Sequence, residues 1–130
     1  MAGVSPTQRT LKANRDNGRI CGIVEKFQQY GGKFGIRQDL FGFIDIIAID
    51  ETNGIIAIQS TGQDWTGHVN KIFEKEEIVT KWLQHAPLEL WSWRKVKKKR
   101  GGRAMVWKPR IGDFVLDKGG KLVLEERSSK

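Results

Sequence analysis

The chain has 130 residues, 38% of them hydrophobic and 29% charged, which is the size and composition of one soluble domain with a single core. No stretch reaches the roughly 18 apolar residues that a membrane helix requires, and residues 1–15 lack the apolar segment of a signal peptide. Cys21 is the only cysteine, which excludes an intrachain disulfide and a cysteine-rich zinc site. We therefore expect one domain over residues 1–130, in a reducing, cytoplasmic setting and without membrane contact.

The net charge of +8 is concentrated in residues 94–110. This segment contains nine Lys and Arg residues and no Asp or Glu, so the rest of the chain carries 14 basic against 15 acidic residues. Such a local excess predicts a polyanionic partner. Nucleic acid is favoured over a membrane surface, because no amphipathic anchor accompanies the charge.

The first elements are predicted from apolar spacing. Residues 1–8 have no periodicity and are expected to be a mobile lead-in. From about Arg9 to Tyr30 apolar residues recur at helical spacing, and Gly31-Gly32 supplies a stop, which predicts a first helix. Glu25 would lie on it about 140° from the apolar centre, where a solvated side chain is expected. Residues 33–37 are predicted to form a first strand.

A central hairpin is predicted over residues 39–61. The run 43–49 is apolar except at Asp45, and the run 55–58 is apolar until Gln59, so both are typical of strands buried on two faces. The turn formers between them end in Asn53-Gly54, which suits a tight antiparallel connection.

The turn also predicts the register of the hairpin. If the ends of the turn 50–54 pair, Asp45 lies directly opposite Gln59, with Cβ atoms about 5 Å apart. Strand alternation puts Thr61 on the same face and turns the Ser60 side chain away, leaving its carbonyl near the strand end. A carboxylate, an amide, a hydroxyl and a backbone carbonyl are therefore expected to converge.

A second helix is predicted after a loop at residues 62–66. It runs to about Gln84, with a break near residues 75–77, and His85-Ala86-Pro87 ends it. Lys71 lies on this helix a short distance after the hairpin. It could bring an ammonium group to the polar site, or it could form a surface salt bridge with Glu74.

Residues 88–96 are predicted to form a further strand with Trp91 and Trp93 on one face. Two alternate Trp residues usually pack in a core, and the alternative is a stacking platform for unpaired bases. Residues 104–107 are expected to return as a strand toward Pro109, which makes residues 94–110 a basic hairpin arm. Residues 114–117 and 122–125 are predicted to form a last small hairpin. The phosphate-binding residues of the arm are expected to be Arg94, Lys95, Lys97, Lys98, Lys99, Arg100 and Arg103.

The residues of the central hairpin resemble the PD-(D/E)XK nuclease superfamily, especially its Holliday-junction-resolvase-like branch and related uncharacterised phage proteins. Asp45 stands at the position of the family's first acidic residue. Gln59, Ser60 and Thr61 stand where the family has Glu-x-Lys, so two motif side chains depart from the pattern. The family's further helical Glu would correspond to Glu25. The resemblance covers roughly residues 9–96, bounds that hold only to the accuracy of predicted elements.

The resemblance implies an α/β fold with a restriction-endonuclease-like core. In that core a central mixed β-sheet is flanked by helices in the order α-β-β-β-α-β, and here the basic C-terminal hairpin arm would be added. It also implies a phage-encoded protein acting in the host cytoplasm, DNA as the partner, with RNA as an alternative, and a homodimer as one arrangement.

The expected chemistry is phosphodiester hydrolysis with Mg²⁺ or Mn²⁺, which neutralises phosphate charge and makes a water nucleophilic. The metal ligands implied are oxygens of Asp45, Ser60, Glu25 and Gln59, and the catalytic set implied is Asp45, Gln59, Thr61, Glu25 and Lys71. Asp39 is either a second carboxylate of this site or a turn residue.

Thr61 can orient a water or a phosphate oxygen, but it cannot supply the positive charge of the family's lysine. Lys71, Arg37 or the arm would have to supply it. Two functions therefore remain open, a metal-dependent DNA endonuclease acting on branched or duplex DNA, and a catalytically inactive nucleic-acid-binding protein on the same fold. A lesser alternative is an RNA-binding protein that uses Trp91 and Trp93.

Overall fold

The structure is a computed structural model that describes residues 4–30 and 34–128. Within these ranges it is an α/β fold in which helices flank a mixed sheet, as predicted. The predicted order α-β-β-β-α-β is wrong, because five strands lie between the first helix and the next, and two helices rather than one precede the last strands. The elements in chain order are α1 (Pro6–Asp16), β1 (Ile20–Ile23), β2 (Lys26–Tyr30), β3 (Phe34–Gln38), β4 (Ile46–Asp50), β5 (Gly54–Thr61), α2 (Trp65–Glu74), α3 (Glu76–Leu83), β6 (Leu88–Lys97), β7 (Met105–Leu116) and β8 (Leu122–Glu126).

The main sheet has six strands in the order β1-β4-β5-β6-β7-β8. All of its neighbouring strands are antiparallel except β5 and β6, which are parallel because α2 and α3 form the crossover between them. Strands β2 and β3 pair with each other as a separate hairpin. In the described residues no helix is long and apolar enough to cross a membrane.

The register predicted for the central hairpin is confirmed. Asp50 pairs with Gly54 and Ile46 pairs with Ile58, and the Asp45 N–H donates to the Ile58 carbonyl at 2.9 Å. Gly54 adopts a φ of +76°, which a residue with a Cβ adopts only at a cost. The turn therefore fixes which side chains of β4 and β5 meet.

Both faces of the sheet are covered, because alternate residues of β5 belong to two different cores. Ile56 and Ile58 pack with Leu11 of α1 on one face. Ala57 packs with Ile72 of α2 and Val79 of α3 on the other face. Gln59 and Thr61 continue the second face, while Ser60 continues the first.

The predicted first helix over Arg9–Tyr30 is wrong at both ends. The helix already starts at Pro6, because the Ser5 hydroxyl accepts a hydrogen bond from the Gln8 N–H at 3.2 Å and proline is favoured in the first turn. Residues 6–8 of the expected lead-in are therefore helical. Ser-Pro was the signal for this start.

The same helix ends at Asp16 rather than at Tyr30. Gly18 has a φ of +90° directly after the cap residue Asn17, and the β-branched residues that follow favour strands. Residues 20–23 and 26–30 are consequently the strands β1 and β2. The predicted stop at Gly31-Gly32 and the predicted strand start at Lys33 lie outside the described residues, whereas the rest of that predicted strand is β3.

The later elements largely match the prediction, including the break between α2 and α3 at Lys75 and the strand β6. The separate strands expected at 104–107 and 114–117 are instead one continuous strand, β7, which passes through Pro109. Pro109 pairs with Trp93, whose N–H points away to the Gly62 carbonyl. The pair is therefore not hydrogen-bonded, and the missing N–H of Pro109 leaves no gap in the ladder.

A buried ion network joins Arg19, just before β1, and Arg127, just after β8, to Glu89 of β6. Glu89 is 2% exposed and accepts hydrogen bonds from Arg19, Arg127 and the Trp91 indole at 2.8–3.1 Å. Burial disfavours the charge, but Arg19 outweighs it and lowers the pKa of Glu89. This network lies at the start of β6, at the end of the sheet opposite to the cleft described below.

Candidate active site

A cleft of about 480 Å³ lies at the carboxyl end of β5. Its floor is formed by polar residues of the central hairpin, one wall by the start of α1, and the other wall by α2. The predicted site residues Asp45, Gln59, Ser60, Thr61, Glu25 and Lys71 all line it, together with Ser5, Pro6, Thr7, Gln38, Asp39, Gly42, Gly62, His68 and Lys75.

Asp45 and Gln59 meet in the floor of this cleft, as the register predicts. The Gln59 Nε2 donates to Asp45 Oδ2 at 2.9 Å, and the Ser60 backbone N–H donates to the same oxygen at 2.8 Å. Asp45 is 2% exposed and Gln59 is 1% exposed. The carboxylate is thus held rigidly by the neighbouring strand.

Two oxygen atoms of this pair lack a partner. Asp45 Oδ1 and Gln59 Oε1 are buried and accept no hydrogen bond in the described part of the protein. Leaving such an atom buried and unsatisfied costs about 1–3 kcal/mol, so native proteins rarely retain one without a reason. Two partnerless acceptors at one site match the requirement of a cation.

Asp39 is the second carboxylate in the cleft, rather than only a turn residue. Its Oδ2 accepts hydrogen bonds from Gln59 Nε2 at 3.1 Å and from Lys71 Nζ at 2.9 Å. Lys71 therefore pairs with Asp39 and not with Glu74. This places an ammonium group at the site although Thr61 stands at the expected lysine position.

The two aspartates have pKa values that are pushed apart. Burial, and then the neighbouring Asp39 carboxylate, raise the pKa of Asp45 to about 8. Burial also opposes the charge on Asp39, but the neighbouring Asp45 and the Lys71 ammonium outweigh it and lower the pKa of Asp39. In the absence of a cation, Asp39 carries the negative charge near neutral pH and Asp45 retains its proton.

Glu25 completes a cluster of three carboxyl groups. One carboxylate oxygen of each of Glu25, Asp39 and Asp45 lies within 4.8 Å of the others. The prediction that Glu25 is helical is wrong, because it lies between β1 and β2, where its N–H and that of Val24 donate to the Asp45 carbonyl. These backbone contacts bring Glu25 to the cleft in place of a helical turn.

Ser60 connects the floor of the cleft to α1. Its Oγ lies 2.8 Å from Thr10 Oγ1, and the Thr10 hydroxyl donates its single proton to the Pro6 carbonyl at 2.9 Å. Ser60 is therefore the donor to Thr10. The Trp93 indole N–H donates to the same Thr10 oxygen at 2.9 Å, which fixes the end of β5 against the helix.

The stacking platform considered for Trp91 and Trp93 is wrong. They are 4% and 6% exposed, and their indole N–H groups are bonded to Glu89 and Thr10. Both side chains are part of the core under α1. The RNA-binding alternative that depended on them loses its basis.

One wall of the cleft carries three basic residues, of which only Lys71 was predicted from the sequence. His68, Lys71 and Lys75 lie at positions i, i+3 and i+7 of the α2 segment and line the same wall. His68 Nδ1 lies 2.9 Å from the Asp64 carbonyl, and since a carbonyl only accepts, Nδ1 carries a proton. The helical spacing of these residues was the available signal for His68 and Lys75.

The arm (residues 94–110) leaves the sheet at the same end as the cleft. Thr61, the last residue of β5, pairs with Ser92, and β6 then continues to Lys97 without β5 beside it. The predicted contact residues Arg94, Lys95, Lys97, Lys98, Lys99, Arg100 and Arg103 are all exposed.

Arg37, the other candidate for the missing charge, has a side chain outside the described part of the structure. No cation contacts Asp45 among the described side chains, and its described partners are the Asp39 carboxyl group and the amide and backbone groups of β5. Comparisons of the chain with protein-family models, curated proteins and solved structures find no match. The case for a function therefore rests on the cleft and the arm themselves.

Proposed function

We propose that the protein is a metal-dependent endonuclease that hydrolyses phosphodiester bonds in branched or duplex DNA. The observation that carries the proposal is the pair of partnerless buried oxygens, Asp45 Oδ1 and Gln59 Oε1, beside three clustered carboxyl groups. All of these donors are hard oxygens, which Mg²⁺ and Mn²⁺ prefer over softer ligands. The donor set therefore fits the cation that the resemblance implies.

Asp45, Gln59 and Glu25 would hold the cation, with the Ser60 carbonyl as a further candidate ligand and Asp39 beside them. When bound, the cation neutralises charge on the phosphate and makes a water nucleophilic near neutral pH. Because the pKa of Asp45 is about 8 without a cation, Asp45 would hold a cation as the carboxylate only after releasing its proton to solvent.

The basic side chains of the cleft and of the arm would bind the phosphate groups of the nucleic acid. Lys71 neutralises Asp39 at 2.9 Å and brings positive charge into the cleft, and the Thr61 hydroxyl is available to orient a water or a phosphate oxygen. The exposed charges of the arm contact phosphates outside the cleft, which aligns the strand without reading its sequence. Gln59 in place of a carboxylate weakens the affinity for the metal but keeps an oxygen ligand.

The test is cleavage of supercoiled, linear and four-way DNA with Mg²⁺ or Mn²⁺. We expect cleavage by the parent protein and none by Asp45→Asn, which keeps the shape of the side chain but loses the charge. Asp16→Asn is the matched control, because Asp16 is exposed on α1 and pairs only with Lys12 among the described residues.

Thermal melts with and without metal separate the proposal from its alternative. A metal-induced rise in melting temperature in the parent, absent in Asp45→Asn, supports the site, and the metal-free variant should be as stable as the parent or more stable. A structural Asp45 would instead cost on the order of 3 kcal/mol when changed. A destabilised variant together with a metal-insensitive, non-cleaving parent would leave the inactive nucleic-acid-binding protein.

A further inference from the structure

Trp107 is the exposed aromatic residue of the arm. It is 38% exposed, whereas Trp65, Trp91 and Trp93 are 7%, 4% and 6% exposed and Trp82 is partly buried. Its neighbour on the same face of β7, Met105, is 43% exposed. Trp is enriched at interfaces, where a partner covers its large ring.

The surroundings of Trp107 are cationic. The Arg9 guanidinium lies 4.4 Å from its ring centroid, and Lys95 is its cross-strand partner. A guanidinium over one face of an indole is a favourable cation–π contact, and a planar ring offers a second face. Because residues 94–110 contain no acidic residue, phosphates can approach the ring without like-charge repulsion.

Trp107 lies on the α1 side of the sheet, near the cleft wall that the start of α1 forms, because Arg9 of α1 contacts its ring. Its partner Lys95 is three residues beyond Ser92, which pairs with Thr61 of the cleft. At about 3.3 Å per residue along the strand and about 4.8 Å for each of two strand spacings, the Cα atoms of Trp107 and Thr61 are separated by roughly 14 Å. Their side chains lie on opposite faces of the sheet, because Trp107 is on the face of Trp91 and Trp93.

We infer that Trp107 is a stacking platform for an unpaired nucleobase, so that the arm selects nucleic acid with a single-stranded segment next to the cleft. Lysines of the arm are sufficient for duplex phosphates, but an indole gains contact only with a base that has left the helical stack. The inference rests on the proposed function for what happens in the cleft, and its binding step is independent of the metal.

The test is a binding titration in EDTA with a single-stranded oligothymidylate and with a duplex. Trp107→Leu keeps the charge of the arm and removes the aromatic ring, and it should weaken single-strand binding by about 5- to 150-fold, as expected for one base–aromatic stack. Duplex binding should change little, and Trp107→Phe should restore most of the single-strand affinity. An oligouridylate titration shows whether DNA is preferred over RNA.

Tryptophan fluorescence provides a second measurement that does not depend on the leucine variant folding. Oligothymidylate should quench the emission of the parent, and Trp107→Phe should abolish that quenching. Equal losses on single strand and duplex, or quenching that persists in Trp107→Phe, would overturn the inference. If a base stacks on Trp107 but DNA is not cleaved, only the nuclease proposal fails. If DNA is cleaved but no base stacks on Trp107, only the inference about Trp107 fails.

Discussion

The side-chain amide NH2 group of Gln59 donates to both Asp39 and Asp45, at 3.1 Å and 2.9 Å, while its own carbonyl oxygen is buried and has no partner in the described part of the protein. The amide nitrogen therefore holds two carboxyl groups together in the absence of a cation. The amide oxygen is left for a ligand. If the cleft binds a metal as proposed, Gln59 would stabilise the metal-free state and lower the affinity for the metal, which makes it the most informative position to change.

Gln59→Glu should destabilise the metal-free protein and strengthen its response to metal. The variant loses the donated hydrogen bonds and adds a fourth carboxyl group to the cluster of Glu25, Asp39 and Asp45, at a cost of about 3 kcal/mol or more. A divalent cation would relieve this repulsion, so Mn²⁺ should raise the melting temperature more than in the parent. Cleavage should also increase.

Two variants control for this change. Gln59→Met removes the donor without adding charge, so it should be destabilised and insensitive to metal. Gln63→Glu adds the same charge at an exposed position outside the lining of the cleft, and its melting temperature should not change. An equal metal response in Gln59→Glu and Gln63→Glu would contradict a cation site at the floor.

The stability of the metal-free protein should fall as the pH rises from about 4 to about 8. Unfolded Asp45 releases its proton near pH 4, whereas in the folded protein burial and Asp39 raise its pKa to about 8. The folded state therefore binds more protons in this window, and stability decreases by up to about 1.4 kcal/mol per pH unit.

Denaturant titrations across this pH range, in EDTA, measure the effect. The lowered pKa of Asp39 acts in the opposite sense and only in acid, where its stabilisation is lost as the pH falls. The free energy of unfolding of Asp45→Asn should no longer fall as the pH rises from about 4 to about 8, but it should still fall in acid. A parent whose stability does not change between pH 5 and 7, while Asp45→Asn behaves identically, would show that Asp45 ionises normally.

The central hairpin could be predicted because its information is local. A five-residue turn with Gly54 at positive φ fixes the register, and strand alternation then places Asp45 opposite Gln59. The break predicted near residues 75–77 is found at Lys75, between α2 and α3. These features depend on residues that are close in sequence.

The first third of the chain was mispredicted because residues 20–27 have spacings that suit a helix or two short strands. Pairing of β1 with β4 decides between them, and that contact spans more than twenty residues. Glu25 was therefore placed near the site for a wrong structural reason. The burial of Trp91 and Trp93 likewise depends on α1, which packs over them from the other end of the sequence.

Lys71→Met should reduce cleavage on the order of 100-fold, the loss typical of one charge-stabilising group at a reacting centre. The variant removes the cation 2.9 Å from Asp39, so the pKa of Asp39 should rise toward its ordinary value. Because Lys71 is 39% exposed at its side chain, stability should change by only about 1 kcal/mol or less.

Single-turnover cleavage and DNA binding, measured together, test the role of Lys71. DNA binding should be nearly unchanged, because in the proposed function the arm supplies most of the phosphate contacts. Lys81→Met is the control, since Lys81 is exposed on α3 and pairs with Glu77 at 3.8 Å. Cleavage by Lys71→Met at the rate of Lys81→Met would assign the missing charge to Arg37 or to the arm.

Binding of duplex DNA should be salt-sensitive and nearly independent of sequence, because the arm offers charges for phosphates but few side chains suited to base edges. If about half of its nine basic residues contact phosphates, the slope of log affinity against log salt should be roughly −4, from about 0.9 per phosphate. A nearly flat slope in the parent would show that the arm does not contact phosphates when DNA binds.

Replacing four charges at the tip of the arm with alanine should weaken binding of all sequences alike and bring the slope toward zero. The fold should persist, because these side chains are exposed and lie in or next to the turn between β6 and β7. A matched variant that loses four exposed lysines elsewhere has the same net charge and should keep most of the slope. Equal effects of the two variants would mean that net charge, rather than the arm, drives binding. A loss of binding confined to one DNA sequence would mean that the tip of the arm contacts base edges. The tip variant changes Lys97, Lys98, Lys99 and Arg100, and the matched variant changes Lys12, Lys81, Lys118 and Lys121.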